Sequence, residues 1–338
     1  MPQHYEQNAF FVGAYAAAPS LIQWDPVAEG TFLKSVLALQ GVAGLEVPFT
    51  GALHKDDEAW FLQQLPEHAD YVVTTIPGTM ARLGADPAFG LASTSATGRR
   101  AAIGFVHEAL QAVTRLNSRV GRPAVTAVEI HSAPVASNGQ AAGSALSESL
   151  AEICSWDWQG ARVVLEHCDA YIAGQTPSKG FLTLEAEAEA VHRANSSGGT
   201  VGMSINWGRS VIEQRRPEAA LEHISYVRNA GLLAGLVLSG CTDQDSRFGP
   251  AWADVHVPPA PATSGTGQET AAAGRFDRTL EPASLMTAAR IQECLLAAGP
   301  RDTAGFRGIK VAAAPNASVE ERISTIAGSV ELSRRMVP

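Results

Sequence analysis

The chain has 338 residues, 46% of them hydrophobic and 17% charged, which supplies a large core and excludes a disordered chain. Its formal charge is −9 (25 Lys and Arg against 34 Asp and Glu). No Lys/Arg-rich run that would neutralise phosphates is present, which argues against a nucleic-acid partner. No apolar stretch reaches the roughly 18 residues a membrane span needs, and the opening MPQHYEQNAF lacks the charged and apolar regions of a secretory leader, so no membrane partner is expected and the expected location is the cytoplasm.

In chain order the apolar runs are AFFVGAY (9–15), GVAGLEVPF (41–49), DYVVTTI (70–76), AVTAVEIH (124–131), ARVVLEH (161–167), TVGMSIN (200–206), GLLAGLVLS (231–239) and GIKVAAA (308–314), eight strand candidates. Helical patterns alternate with them at 28–39, 57–65, 98–119, 145–156, 183–195, 217–229, 284–298 and 319–334. In the clearest, Ile103, Val106, Leu110, Val113 and Leu116 recur every three or four residues and form one apolar stripe. Ser318 and Glu321 have the spacing of a capping box at the start of the last helix. Strict alternation implies parallel strands, because only long crossovers can join them. GAYAAAPS after the first strand is not a dinucleotide-binding turn, and eight units favour a closed (β/α)8 TIM barrel, a single domain over 1–338.

About 44 residues, SGCTDQDSRFGPAWADVHVPPAPATSGTGQETAAAGRFDRTLEP, follow the seventh strand before its helix. Loops this long inside a compact domain are usually functional, so 240–283 is expected to be a lid. Its first half carries Arg247, Trp252 and His256, suited to covering a polyhydroxylated ligand; PATSGTGQETAAAG reads as flexible. The cysteines, Cys154, Cys168, Cys241 and Cys294, lack any zinc-finger spacing and read as reduced thiols. LEAEAEA (184–190) reads as a solvated helix face.

Barrel chemistry gathers at the carboxyl ends of the strands. There the sequence places Glu46, then Glu129 and His131, then Glu166, His167 and Asp169, then Asn206, Trp207 and Arg209, and finally Lys310. Alternation puts Glu129 and His131 on one face, and Ser204 with Asn206, whereas His167 has the opposite parity and is expected to face the helices. Glu166 stands out, because a lone carboxylate ending an apolar strand is costly unless paired, hydrated or bound to a cation.

Together with the eight units, HSAP after strand four, LEHCD after strand five and INWGRS after strand six resemble the sugar isomerase/epimerase group of the xylose-isomerase-like TIM barrels, in a divergent bacterial branch. The resemblance implies an enzyme that abstracts a proton next to the carbonyl of a sugar, using a divalent metal (Mn, Mg or Zn). It matches Glu166, Asp169 and His131 to the family pattern. It departs where the family has an aspartate and, three residues on, a histidine after strand six, since this chain has Asn206 and Arg209. The family histidine ending strand seven and glutamate ending strand eight are also missing; Ser239 and Lys310 lie there instead.

Two expectations follow. The first is a sugar isomerase or lyase with Glu166, His131 and Lys310 as catalytic residues and an oxyanion stabilised by Arg209 and Lys310, or by a metal held by Glu166, Asp169, His131 and His256. Glu46, Glu129, Asp169, Asn206, Trp207, Arg209, Arg247, Trp252 and His256 would bind the substrate. The second is a sugar-binding or regulatory barrel that has lost the chemistry. An endonuclease of related fold would need a metal-ligand cluster and a basic face, and the sequence has neither. Association of identical copies is compatible with either expectation.

Overall fold

The computed structural model describes residues 8–19, 23–262, 278–300 and 305–338. Strands β1 (Phe10–Val12), β2 (Val42–Pro48), β3 (Asp70–Thr74), β4 (Val125–Ile130), β5 (Arg162–His167), β6 (Gly202–Asn206), β7 (Leu233–Leu238) and β8 (Phe306–Ile309) form a closed barrel in sequence order. All neighbours are parallel, and β8 closes onto β1. Each strand falls on one of the eight apolar runs, although β8 begins two residues before GIKVAAA.

The helices are α1 (Pro26–Leu37), α2 (Glu58–Gln64), α3 (Ile76–Ala85), α4 (Ala96–Val120), α5 (Gly143–Cys154), α6 (Leu184–Ser196), α7 (Trp207–Gln214), α8 (Ala219–Asn229), α9 (Ala288–Ala298) and α10 (Val319–Arg335). The sequence reading lacks α3 and α7. Both are short and begin within two residues of a strand end, so their apolar residues merge with the strand's run. The capping box of α10 is formed: Glu321 N donates to Ser318 Oγ (3.2 Å) and Ser318 N to Glu321 Oε2 (2.7 Å).

Alternation along the strands divides the apolar residues into two layers. Phe11, Val72, Ala127, Val164, Val237 and Phe306 fill the barrel interior. Leu45, Val128, Leu165, Ile205 and Leu236 belong to the larger core shared with the helices. Phe11 and Phe306 meet edge to face at 6.2 Å, and a Cβ on Gly235 would lie 2.5 Å from the Phe306 ring, so glycine there makes room for it. The Phe11 and Phe306 rings plug the interior below the polar side chains of the carboxyl end.

The loop after β7 folds back through an antiparallel bridge between Gly240 and Val257. Most of PATSGTGQETAAAG lies outside the described residues. Among the described residues no helix is long and apolar enough to cross a membrane. LEAEAEA is not uniformly solvated: Glu185 and Glu189 are exposed, but Glu187 is fully buried beside His167 and Ser132.

Candidate active site

Two ion pairs occupy the carboxyl end of the barrel. Lys310, just past β8, places Nζ 2.5 Å from Glu46 Oε1, and both side chains are buried. Tyr15 donates its hydroxyl to the same oxygen at 3.1 Å. A Cβ on Gly13 would lie 2.9 Å from Lys310 Cγ, so a glycine after β1 lets the lysine lie against this strand. Glu46 Oε2 has no hydrogen-bond partner among the described residues. A cavity of about 200 Å3 lies beside it, with Ala14, Tyr15, Glu46, Thr50, Leu53 and His54 in its wall.

The second pair joins β5 to α7. Arg209 Nη1 lies 2.6 Å from Glu166 Oε2, and His131 Nε2 lies 2.7 Å from the same oxygen. Asn206 Nδ2 donates to Glu166 Oε1 at 3.2 Å, while its Oδ1 caps α7 by accepting from Arg209 N at 3.4 Å. One asparagine thus orients the carboxylate and starts the helix that delivers its arginine. Thr75 Oγ lies 3.2 Å from His131 Nδ1. Deeper in the barrel, Ser204 donates to Glu129 Oε1 at 2.8 Å, and Glu129 Oε2 has no hydrogen-bond partner among the described residues.

The loop after β7 reaches this site through Asp254. Its Oδ2 pairs with Arg209 Nε at 3.1 Å and with Lys179 Nζ at 2.8 Å. His256 Nδ1 lies 3.4 Å from Asp254 Oδ1 and 2.9 Å from Ser239 Oγ. Trp252 (φ +61°) and His256 (φ +57°) are left-handed residues on either side of Asp254, a conformation costly for side-chain-bearing residues. These two turns aim the carboxylate inward.

Charge and burial set distinct protonation states. Burial alone would raise the Glu166 carboxyl, but the charges of Arg209 and Lys310 and the His131 bond outweigh it and hold it well below the usual carboxylate range. Burial likewise opposes ionisation of Asp254, and Lys179 and Arg209 overcome it. Burial raises Glu46, opposed by Lys310 and reinforced by Glu166. Burial, then Glu166 and Glu46, raise Glu129 well above the usual range, so it keeps its proton. Burial pushes His131 down to about 4. A neutral His131 beside an ionised Glu166 carries its proton on Nε2, while Nδ1 faces the Thr75 hydroxyl, which donates to the Glu129 carbonyl oxygen at 2.9 Å. Burial raises the Tyr15 hydroxyl, which stays a donor.

The residues present do not fit a hard dication at the barrel mouth. His131, Glu166 and Cys168 offer atoms within 4.8 Å of one another, but Arg209 Nη1 already lies 2.6 Å from Glu166 and 3.4 Å from Cys168 Sγ. Burial holds the Cys168 thiol well above its usual range, hence neutral. Glu166, the carboxylate of this group, is already paired with a cation of the chain and its neighbours are a histidine and a neutral thiol, whereas magnesium-type ions require several oxygens.

Of the residues expected from sequence, Glu46, Glu129, His131, Glu166, Asn206, Arg209 and Lys310 converge, with His256 at the rim. Asp169 instead organises a loop, its Oδ2 accepting from the backbone N–H groups of Ser178 (2.7 Å), Lys179 (2.9 Å) and Gly180 (3.3 Å). Trp207, the first residue of α7, is fully buried in the core shared with the helices. Arg247 pairs with Glu281 at 3.0 Å, and Trp252 packs on the main core with the Arg215 guanidinium 5.1 Å from its ring. His167 faces the helices, as its parity requires. Sequence reasoning missed Tyr15, Thr75, Lys179 and Asp254. The alternating Trp252, Asp254 and His256 were the only signal for the last, and Lys179 had none.

Comparison with known proteins follows this geometry. Over 332 residues the chain is 33% identical to "Uncharacterized protein STM3670" of Salmonella typhimurium (strain LT2), covering 97% of each. Its fold is similar to that of a xylose isomerase-like TIM barrel protein from Mycobacterium smegmatis in complex with magnesium (TM-score 0.52, 11% identity, 99% of this chain and 100% of the other). It is also similar to IOLI protein with a bound zinc atom (TM-score 0.52, 12% identity, 97% and 98%), and to a D-tagatose 3-epimerase-like protein (TM-score 0.51, 10% identity, 97% and 98%). These structural likenesses agree with the closed barrel in showing a (β/α)8 TIM-barrel fold. Residues 11–325 match one family throughout, and the chain belongs to it: Domain of unknown function (DUF4862).

Proposed function

We propose that the protein is a carbohydrate-processing enzyme, an isomerase or lyase that abstracts a proton next to a carbonyl and stabilises the resulting oxyanion with side-chain cations. The observation that carries this reading is the Glu46–Lys310–Tyr15 group: a buried carboxylate with an unpartnered oxygen beside a cavity, flanked by an ammonium at 2.5 Å and a hydroxyl at 3.1 Å. The sugar class is supported by the D-tagatose 3-epimerase-like protein that shares the fold.

In this proposal Glu46 is the base, in place of Glu166. A carboxyl raised by burial is a stronger base than one held low by an arginine, and Glu166 has both oxygens engaged. Glu46 Oε2 takes the proton from the carbon beside the carbonyl, and the carbon–hydrogen electrons pass to the carbonyl oxygen. Lys310 and the Tyr15 hydroxyl face the developing charge, where a preorganised cation in a site sheltered from water acts most strongly. In an isomerisation the enediolate oxygen takes up the proton that the adjacent hydroxyl loses, that hydroxyl becomes the new carbonyl, and Glu46 returns its proton to the former carbonyl carbon; in an elimination the enolate electrons re-form the carbonyl, the carbon–oxygen bond one carbon further on breaks, and the hydroxyl leaves as water with the proton held by Glu46. Lys310 stands where a second base would be needed, which disfavours two-base epimerisation. Glu166, His131, Asn206 and Arg209 form the rigid wall that orients the substrate's hydroxyls.

The test is solvent-deuterium exchange into a panel of ketoses and aldoses, followed by proton NMR. Glu46→Gln keeps an acceptor for Lys310 and Tyr15 but cannot take a proton, and should slow exchange about a hundred- to ten-thousand-fold with an unchanged circular-dichroism spectrum. Exchange that survives Glu46→Gln but not Glu166→Gln returns the base to Glu166. Tight binding of a sugar with no exchange in the wild type supports the non-catalytic binding barrel instead.

A further inference from the structure

A second polar cluster lies outside the barrel, under the helices, and the active site does not use it. His167 at the end of β5 places Nε2 3.0 Å from Glu213 Oε2 of α7. His223 of α8 places Nε2 3.8 Å from Glu213 Oε1, and its ring stands 5.3 Å from the His167 ring. One atom from each of the three residues lies within 4.8 Å of the others.

We propose that His167, Glu213 and His223 form a zinc-type metal site. Two ligands at about 2.0–2.1 Å from a tetrahedral ion stand about 3.3 Å apart, and nitrogen and carboxylate oxygen are its ordinary donors. His167 lies 3.0 Å from Glu213 Oε2 and His223 3.8 Å from Glu213 Oε1, so the carboxylate faces each imidazole with a different oxygen at separations within about half an ångström of that figure.

The surroundings are those of a built metal site. Metal-binding histidines pass their other ring nitrogen to a carboxylate, carbonyl or hydroxyl that fixes the tautomer. His167 Nδ1 lies 2.6 Å from Glu187 Oε2, and the other Glu187 oxygen accepts from Ser132. His223 Nδ1 lies 3.0 Å from Ser210 Oγ. Glu213 Oε2 also accepts from Ala170 N at 2.7 Å. Each of the three ligands therefore has its own orienting partner. The His167 side chain is fully buried, whereas those of Glu213 and His223 retain 5% and 11% exposure, which leaves a solvent-facing edge for the ion to enter and for a water as fourth ligand. Glu166 and Arg209 lie on the other side of β5, so an ion here would tie β5, α7 and α8 together behind the active site.

The competing arrangement is a metal-free ionic triad in which His167 carries both ring protons between Glu187 and Glu213. The experiment uses the full chain, stripped with chelator, reloaded with zinc and dialysed. The wild type and Cys168→Ala should each retain about one equivalent and melt higher than the stripped protein. His223→Ala should bind zinc at least tenfold more weakly. Cobalt added to the stripped wild type should give a visible spectrum of nitrogen and oxygen ligation with no thiolate charge-transfer band, a readout that needs no variant to fold. No retained zinc, retention unchanged in His223→Ala, or a thiolate band that vanishes in Cys168→Ala would each overturn the site.

Discussion

Replacing Arg209 by methionine removes the cation that stands between β5, α7 and the lid while keeping much of its volume. At 2.6 Å from Glu166 and an effective dielectric of about 20, the gross attraction is about 6 kcal/mol. Most of that offsets desolvation, and breaking one side of a buried pair costs about 3–5 kcal/mol. Asp254 keeps Lys179 at 2.8 Å, so the loss falls mainly on Glu166, and the expected cost is that of one pair. Urea unfolding at pH 7 measures it. Glu166 and Asp254 have folded-state pKa values well below their ordinary ones, so this stabilisation is complete above the ordinary carboxylate range and is lost progressively as the pH falls from that range to the lower folded-state values. The difference between wild type and Arg209→Met should therefore shrink in acid. A cost under about 1 kcal/mol at pH 7, the level of an exposed pair, or a difference independent of pH, would refute the reasoning.

Three further expectations concern the same cluster. Arg209→His with Asn206→Asp introduces the acid and histidine that the sequence resemblance implies after strand six and removes the chain's cation; the double variant should bind manganese, detected by electron paramagnetic resonance, at least tenfold more tightly than the wild type. Asp254→Asn should loosen the lid, seen as faster hydrogen exchange around residues 250–256, with a stability deficit that is largest near neutral pH and vanishes in acid. Lys310→Met should be destabilising by about 3–5 kcal/mol, and adding Glu46→Gln should restore most of that loss, because replacing a buried pair is far less costly than breaking it.

Much of this architecture is legible in the sequence because apolar periodicity and strand alternation are local. The eight runs locate the eight strands, and parity alone pairs Glu129 with His131 and turns His167 outward. The rest depends on distant partners. Lys310 acquires meaning only when barrel closure brings β8 to β1 and β2, which places it against Glu46 and Tyr15. Asp254 reaches Arg209 because two left-handed residues bend the lid. Glu187 reads as one of several solvated glutamates until α6 docks it onto His167.

The central claim is that cations of the chain, not a metal at the barrel mouth, support proton transfer. The most direct measurement is the deuterium-exchange rate of His223→Ala, in which the outer cluster lacks one of its ligands, before and after chelation. The expected result is a rate unchanged within about twofold, the magnitude that separates a bystander ion from one whose charge stabilisation is worth several kcal/mol. Loss of exchange on chelation, with recovery on adding manganese or magnesium, would contradict it.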